Sequence, residues 1–463
     1  MAKFTMLDLW RPSGTVDRGI YAWVGVVAFA IKHNLDRLVA ALLFHRPWNF
    51  FNYWEPLGKA RLGTLTSEDR AFLVTMAALA LPFIWMGVVL TLKRLRSIGL
   101  PSSLIVFFFV PFLNLLFFLV LCVLPRRDSG KKVRESSPSL DKLIPGSALG
   151  SAALSLTITV PLGLMTALLG IRGLTTYGWG IFIALPFTMG FTASLIYGYR
   201  QPRTIWGCIG VASLSVALLG AAFLAMAVEG MICIAMAAPI ALPLAAFGGV
   251  FGYLIQRGRW LTQATPAALS VALLFVPGIE WMEHATAPPP LTFVVRSSLD
   301  IQASPEKVWH EVIAFSQIPP PTEWIFRTGI AYPIRAEMLG SGVGAERHCV
   351  FSTGAFVEPI EVWDEPRLLK FSVTANPAPM EEWTPYPHID PPHLHGFLVS
   401  NGGQFRLSPL PNGGTRLEGT TWYHHGLWPA QYWRMWSDEI IHRIHMRVLR
   451  HIRDEVERQG QGS

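Results

Sequence analysis

The chain has 463 residues, of which 51% are hydrophobic and only 15% charged, with a formal net charge of +7. That apolar excess excludes a disordered protein, and a charge content below the roughly 25% usual in soluble domains points to a bilayer as solvent for part of the chain. The charge is split, since residues 1–281 carry 23 Lys/Arg against 11 Asp/Glu, while 282–463 carry 15 against 20 together with eleven of the thirteen histidines.

The basic residues lie in short segments between apolar runs and form no continuous face, so no nucleic-acid partner is expected. Cys122, Cys208, Cys233 and Cys349 stand apart from one another. They give no disulfide framework and no paired zinc-ligand motif.

Residues 1–15 lack a charged start running directly into an apolar core with a small-residue cleavage site, so no cleavable signal peptide is expected. The first apolar stretch, 21–44, is interrupted by Lys32, His33, Asn34, Asp36 and Arg37. As a single helix it puts Lys32 and Asp36 in an i,i+4 pair near mid-membrane, which is a functional-site hypothesis; as two short pieces the same residues snorkel at a helix end or lie in an interfacial bend. Runs long enough to cross a bilayer follow at 71–92, 103–124, 144–170, 178–199, 205–228, 231–255 and 264–279. They must be helical, because hydrocarbon leaves no partner for free backbone groups. Pro161, Pro186 and Pro243 predict kinks. Glu229, between two of the runs, joins Lys32 and Asp36 as an intramembrane polar candidate.

Arg126, Arg127, Lys131, Lys132, Arg134 and Lys142 mark the linker 126–143 as cytoplasmic, and Arg200 with Arg203 and Arg257 with Arg259 mark two later loops likewise. Counting crossings from there places the C-terminal part outside the cytoplasm. Lys93, Arg94 and Arg96 also read as cytoplasmic, which a single crossing over 103–124 contradicts and a re-entrant hairpin turning near Pro111 and Asn114 reconciles.

The segment Lys93-Arg94-Leu95-Arg96-Ser97-Ile98-Gly99, followed by an apolar run with Pro111 and Asn114, resembles the YhaH-like bacterial inner-membrane domain of unknown function over about the first 125 residues. Ser97 departs from the Asp common in that family. Gly99 is expected to cap the preceding helix, with the basic residues anchoring topology or binding lipid phosphates at its end.

After Ala287-Pro288-Pro289-Pro290 the pattern turns to alternation, with strands expected at 293–301, 335–339, 346–352, 359–363, 368–374, 404–407 and 416–422. Ser304-Pro305-Glu306 reads as a helix start that buries Val308, Trp309, Val312 and Ile313. Gly340-Ser341-Gly342, Asp364-Glu365-Pro366 and Asn412-Gly413-Gly414 supply turns. Residues 429–457 read as one long helix with Trp433, Ile440, Ile444, Val448, Ile452 and Val456 on one stripe.

This order, with Ile301-Gln302-Ala303-Ser304-Pro305-Glu306-Lys307-Val308-Trp309, Val362-Trp363-Asp364-Glu365-Pro366-Arg367 and Gly413-Gly414-Thr415-Arg416-Leu417-Glu418-Gly419-Thr420-Thr421, resembles the START-like polyketide cyclase/dehydrase and lipid-transport superfamily over 291–458. The resemblance implies a helix-grip fold with an apolar cavity between a curved sheet and the last helix. The expected fold class is a multi-pass α-helical membrane domain followed by an α+β helix-grip domain with a curved antiparallel sheet and a long C-terminal helix. Its parts are a membrane domain at 1–125, a basic linker at 126–143, further transmembrane helices at 144–281, a hinge at 282–290 and the START-like domain at 291–463.

Among candidate site residues, Glu346 and His348 share one face of a strand and suit acid–base work if that face lines the cavity. Glu323, Trp324, Phe351, Phe371, His393, His395, Trp422 and Trp433 are candidate ligand contacts. His388, Asp390, His393 and His395 offer metal-ligand types at a spacing that matches no metal motif. His442 with His445, and His424 with His425, are further acid–base candidates. No hydrolase triad, phosphate-cradling loop or dinucleotide fingerprint occurs, and no cofactor is expected. The functional expectation is a membrane-anchored protein that binds a lipid or other hydrophobic small molecule, with membrane lipids as surroundings. The alternatives are a tethered cyclase or dehydratase, and a transporter needing Lys32, Asp36 and Glu229.

Overall fold

The computed structural model describes residues 6–48, 53, 66–109, 113–124, 126, 144–257, 265–286, 291–386 and 389–461. Pro111, most of the basic linker, Arg259, the Pro-rich stretch 287–290 and His388 lie outside the described residues. The chain divides into two compact units. The first is Met1–Gly170, Trp179–Leu219 and Ile240–Glu283, and the second is Ile171–Gly178, Gly220–Pro239 and His284–Ser463.

In the first unit, helix α1 (Arg18–Phe44) is one continuous 27-residue helix, so the interrupted apolar stretch is not two pieces. Lys32 and Asp36 fall on one face, both buried, and form an ion pair. Tyr53 donates to the same carboxylate at 2.6 Å. Helix α2 (Ser67–Ser97) starts with a reciprocal cap, in which Asp69 N–H donates to Thr66 Oγ1 at 3.1 Å and Thr66 N–H donates to Asp69 Oδ2 at 3.2 Å. It ends at Gly99, whose φ of 66° places it in the left-handed region. Gly99 N–H reaches Arg96 O at 3.1 Å and Leu100 N–H reaches Leu95 O at 3.0 Å, the paired bonds of a Schellman cap.

The apolar run 103–124 is not one span. It forms a 3-10 helix at Ser102–Phe109 and helix α3 (Leu113–Val123). Arg94, in the last turn of α2, donates to Leu121 O at 3.0 Å, to Leu124 O and to Ser97 Oγ at 3.0 Å. Leu121 and Leu124 therefore lie beside the end of α2 from which the chain departs. Lys93 donates to Asp8 O at 2.6 Å and Arg96 to Pro12 O, so all three basic residues of the motif bind the chain's own carbonyls.

Helices α4 (Ala148–Leu168), α5 (Leu185–Tyr197), α6 (Ile205–Ala225), α7 (Met231–Arg257) and α8 (Thr265–Thr286) follow. Among the described residues, five helices are long and apolar enough to cross a membrane: Ser67–Ser97, Ala148–Leu174, Gly180–Tyr197, Ile205–Ala225 and Met231–Arg257. Within the unit α5 is buried along nearly its whole length. Backbones meet there at small residues, because a Cβ on Gly190 would sit 2.1 Å from Ala245 O and one on Gly248 would sit 2.1 Å from Phe187 O. Such close approach lets helices associate where no hydrophobic drive separates protein from lipid.

The second unit contains seven antiparallel strands: β1 (Thr292–Ile301), β2 (Pro333–Leu339), β3 (Glu346–Phe351), β4 (Gly354–Asp364), β5 (Leu368–Ser372), β6 (Leu398–Pro409) and β7 (Thr415–His425). Their spatial order is β1-β7-β6-β5-β4-β3-β2, one curled half-barrel. Helix α9 (Pro305–Ile313) and a 3-10 turn (Trp324–Thr328) lie between β1 and β2, and helix α10 (Ala430–Gln461) closes the chain. This is the helix-grip fold, following the expected multi-pass helical part. Ser304 occupies the N-cap of α9 and Pro305 its first turn. Trp309 is fully buried and meets Trp363 edge-on at 5.6 Å. Val448, Leu449, Ile452 and Val456 carry the stripe of α10 into the core formed with Leu369, Leu407 and Leu417.

Candidate functional site

Curling the sheet around α10 leaves space wherever small or polar residues replace core-filling ones. The result is a cavity of about 140 Å³, walled by Phe351, Phe356, Phe371 and Phe405 from the sheet and by Ile440 and Ile444 from α10. Gly419 on β7 helps keep it open, since a Cβ there would meet nothing nearer than 3.7 Å.

One charged pair lines this apolar space. Arg347 and Glu358 stand directly opposite each other across β3 and β4, with the Arg347 guanidinium hydrogen-bonded to the Glu358 carboxylate and both side chains buried. Three aromatic rings surround the guanidinium, with centroids 5.5 Å away for Phe315, 5.6 Å for Phe371 and 5.4 Å for Phe405. Arg347 Nε also donates to Ile313 O at 3.1 Å, but Nη2 has no partner among the described residues. Burial pushes the Glu358 carboxyl up, and Arg347 offsets this only in part. Cys349, on the same strand face, is pushed up by burial to about 12 and is a neutral thiol.

His445 lines the cavity from the helix side. Its Nε2 lies 2.7 Å from Thr421 Oγ1 and its Nδ1 lies 3.1 Å from Ser297 Oγ, which also meets His442 Nδ1 at 2.8 Å. Burial, with His442 beside it, pulls the His445 pKa down to about 4. A neutral imidazole therefore faces the cavity at pH 7.

The residues singled out in the sequence fall in different places. Phe351 and Phe371 line the cavity. Glu346 and His348 do not, because Arg347, Cys349 and Phe351 take the inward positions of β3 and alternation turns 346 and 348 to the other face. There they pair with each other at 2.5 Å, about a third to a half exposed. Trp324 is 68% exposed, Glu323 lies 3.8 Å from Arg447 Nη1, and Trp422 and Trp433 are outside the cavity lining. His395 pairs with Asp390 at 2.5 Å on the exterior, both more than half exposed. His393 lies elsewhere. It is buried beside Glu229 and Cys233 of the segment 220–239 and Glu382 of its own loop, a grouping of residues 160 positions apart that no spacing in the sequence announces. Burial disfavours its imidazolium, yet Cys233, Glu229 and Glu382 outweigh burial and hold its pKa well above the usual value. Arg347, Glu358 and His445 carry the cavity's polarity. For Arg347 and Glu358 the signal in the sequence is a charged residue at an inward strand position, legible once the inward face is known, whereas His445, on α10, is one of the acid–base candidates that the sequence offers.

No family model matches the chain, and no curated protein does. Solved structures similar to it include norcoclaurine synthase from Thalictrum flavum, at 13% identity over 36% of this chain and 96% of that one with a TM-score of 0.24. An aromatase/cyclase from a Streptomyces species is 16% identical over 36% of this chain and 96% of its own, with a TM-score of 0.24. The protein XoxI from Bacillus cereus is 15% identical over 35% and 94%, also with a TM-score of 0.24.

Proposed function

We propose that this chain is a multi-pass protein of the bacterial inner membrane whose START-like unit binds a lipid or other hydrophobic small molecule in the cavity between the curled sheet and α10. The observation that carries this reading is the cavity itself, apolar on nearly all sides and containing one buried cation–carboxylate pair. Its size limits the ligand. An apolar space of roughly 150 Å³ takes a molecule the size of benzene, so about 140 Å³ holds a single ring or a short acyl segment, with any larger remainder emerging at the rim. Arg347 supplies the polar recognition, as a guanidinium held in place by Glu358 and three rings. The neutral imidazole of His445 supports a second reading, a tethered cyclase or dehydratase in which that nitrogen base, not the outward-facing Glu346 and His348, moves a proton.

The test is to fill the space from Gly419. Native mass spectrometry of full-length protein released from detergent should show a stoichiometric hydrophobic adduct. Gly419→Leu should lack it while keeping the same thermal midpoint within a few degrees. Equal adducts on both proteins would remove the cavity as the binding place.

A further inference from the structure

The segment 373–397 connects β5 to β6, and its Glu382 packs against the backbone just before α7. A Cβ on Gly230 would lie 2.0 Å from Glu382 Oε2, so the approach needs glycine there. Met231 N–H donates to Trp383 O at 2.9 Å and fixes the same junction. At this point one donor atom each from Glu229, Cys233, Glu382 and His393 lies within 4.8 Å of the others. His393 Nε2 is 3.0 Å from Cys233 Sγ and 3.7 Å from Glu382 Oε1, and His393 Nδ1 is 3.3 Å from Glu229 Oε2.

These groups are buried and short of partners. The Glu382 side chain is fully buried, and neither of its carboxylate oxygens makes a hydrogen bond among the described residues; the same holds for Glu229 Oε2 and His393 Nδ1. Tyr177 OH donates to the other Glu229 oxygen at 2.8 Å, and its ring meets the His393 ring edge-on at 5.2 Å. The surroundings are otherwise apolar, with Ile232, Ile325, Phe326 and Leu394 packed close by. No lysine or arginine pairs with either carboxylate among the described residues.

Two carboxylates in such a place exceed the one positive charge that His393 can carry. Leaving ions unpaired in the interior costs several kcal/mol each. A divalent ion removes the repulsion and satisfies the open oxygens together. The donor set selects its class, because calcium and magnesium ask for six or more oxygens, whereas one thiolate, one imidazole and carboxylates suit zinc. Tetrahedral bonds of about 2.0–2.3 Å put ligand atoms about 3.2–3.8 Å apart, near the 3.0 Å and 3.7 Å found around His393 Nε2.

We propose that Glu229, Cys233, Glu382 and His393 bind one divalent transition-metal ion of the zinc class, which pins the segment 373–397 to the start of α7. Four protein ligands close the coordination sphere, so the ion is structural. Tyr177 orients Glu229 from behind. The pinned segment begins and ends at the cavity, since Pro377, Pro379 and Leu398 line it, and the metal thereby fixes part of the cavity rim. The site stands whether or not the cavity binds a lipid.

Elemental analysis of full-length protein purified in detergent without added chelator should find about one zinc per chain. Cys233→Ser, His393→Gln and Glu382→Gln should each lower that content about tenfold or more, while Asp390→Asn and His395→Gln, on the exposed neighbouring pair, should retain it. Wild-type protein stripped of metal and titrated with Co²⁺ alone should develop a thiolate-to-cobalt charge-transfer band, a readout that needs no variant to fold. Hydrogen exchange across 376–397 should rise on stripping. The proposal is overturned by wild-type protein that purifies well short of stoichiometric metal and gives no such band with Co²⁺. It is equally overturned by full zinc content in both Cys233→Ser and His393→Gln. Unchanged exchange after stripping would overturn the pinning.

Discussion

Arg347 shows how one side chain can define a site. Its guanidinium lies among Phe315, Phe371 and Phe405, and among the described residues its charge is balanced by Glu358. Removing one member of such a pair leaves the other as an uncompensated buried ion, at a cost of about 3–5 kcal/mol, whereas replacing both with apolar residues is often close to neutral. Arg347→Met should therefore lower stability strongly, and Arg347→Met combined with Glu358→Leu should recover most of the loss, as read from the thermal midpoint. A double variant no more stable than the single one would show that the cation–ring contacts, not the pair, hold the wall. Two histidines give a second residue-scale consequence. Burial pulls both His425 and His445 down to about 4 in the folded protein. An unfolded histidine titrates near 6.5, so between those values the unfolded chain binds more protons, and stability falls as pH drops from about 6.5 with the loss complete below about 4. For His425, which stacks on Phe293 at 5.1 Å, the loss is on the order of 3 kcal/mol. The thermal midpoint of His425→Gln should accordingly vary less than wild type across that window; parallel profiles would show that burial does not hold this imidazole neutral.

At the scale of elements, periodicity is informative about existence and weak about direction. The alternation over 346–352 marks β3, and it also shows that 346 and 348 share a face. It is silent on which face is concave, because Phe351 and Cys349 alternate with residues that are just as compatible with a surface. The curl of the sheet, a property of seven strands together, makes the odd positions of β3 the inner ones. Strand β6 shows the converse error. The sequence reads only 404–407 as strand, and Gly402 and Gly403 lie just before that stretch. Within the sheet those glycines let the ladder pass beneath the Phe371 ring, where a Cβ on Gly403 would lie 2.7 Å from Cζ, and β6 runs from Leu398 to Pro409 with a bulge between Ser400 and Gly402. The run 103–124 fails for a different reason. Hydropathy measures length and apolarity, and a hairpin returning to Arg94 has the same composition as a crossing. The conflict among the basic residues at 93–96 was the one sequence signal of that return. By contrast the Gly99 cap and the Ser304-Pro305 start of α9 are written locally, and local backbone geometry follows them directly.

At the scale of the whole molecule, the membership of the second unit bears on orientation. Counting crossings from the basic linker places the stretches near 171–178 and 226–230 on the side opposite the Arg200–Arg203 and Arg257 loops, together with everything after α8. Those stretches are the ones that group with residues 284–463 in one compact unit, whereas the arginine-bearing loops group with the other helices. The grouping comes from contacts such as Trp428 N–H to Tyr177 O at 2.9 Å. One arginine, Arg172, lies in these stretches, and a single residue carries little weight against six in the linker. The expected arrangement has the helix-grip unit outside the cytoplasm, where an apolar ligand passing between membrane and periplasm would meet it. Protease added to spheroplasts should remove a tag placed after Ser463 and should leave a tag inserted within 127–143 intact until the membrane is permeabilised. Protection of the C-terminal tag alongside loss of the linker tag would invert every crossing, and the source of the cavity's ligand would then have to be the cytoplasm.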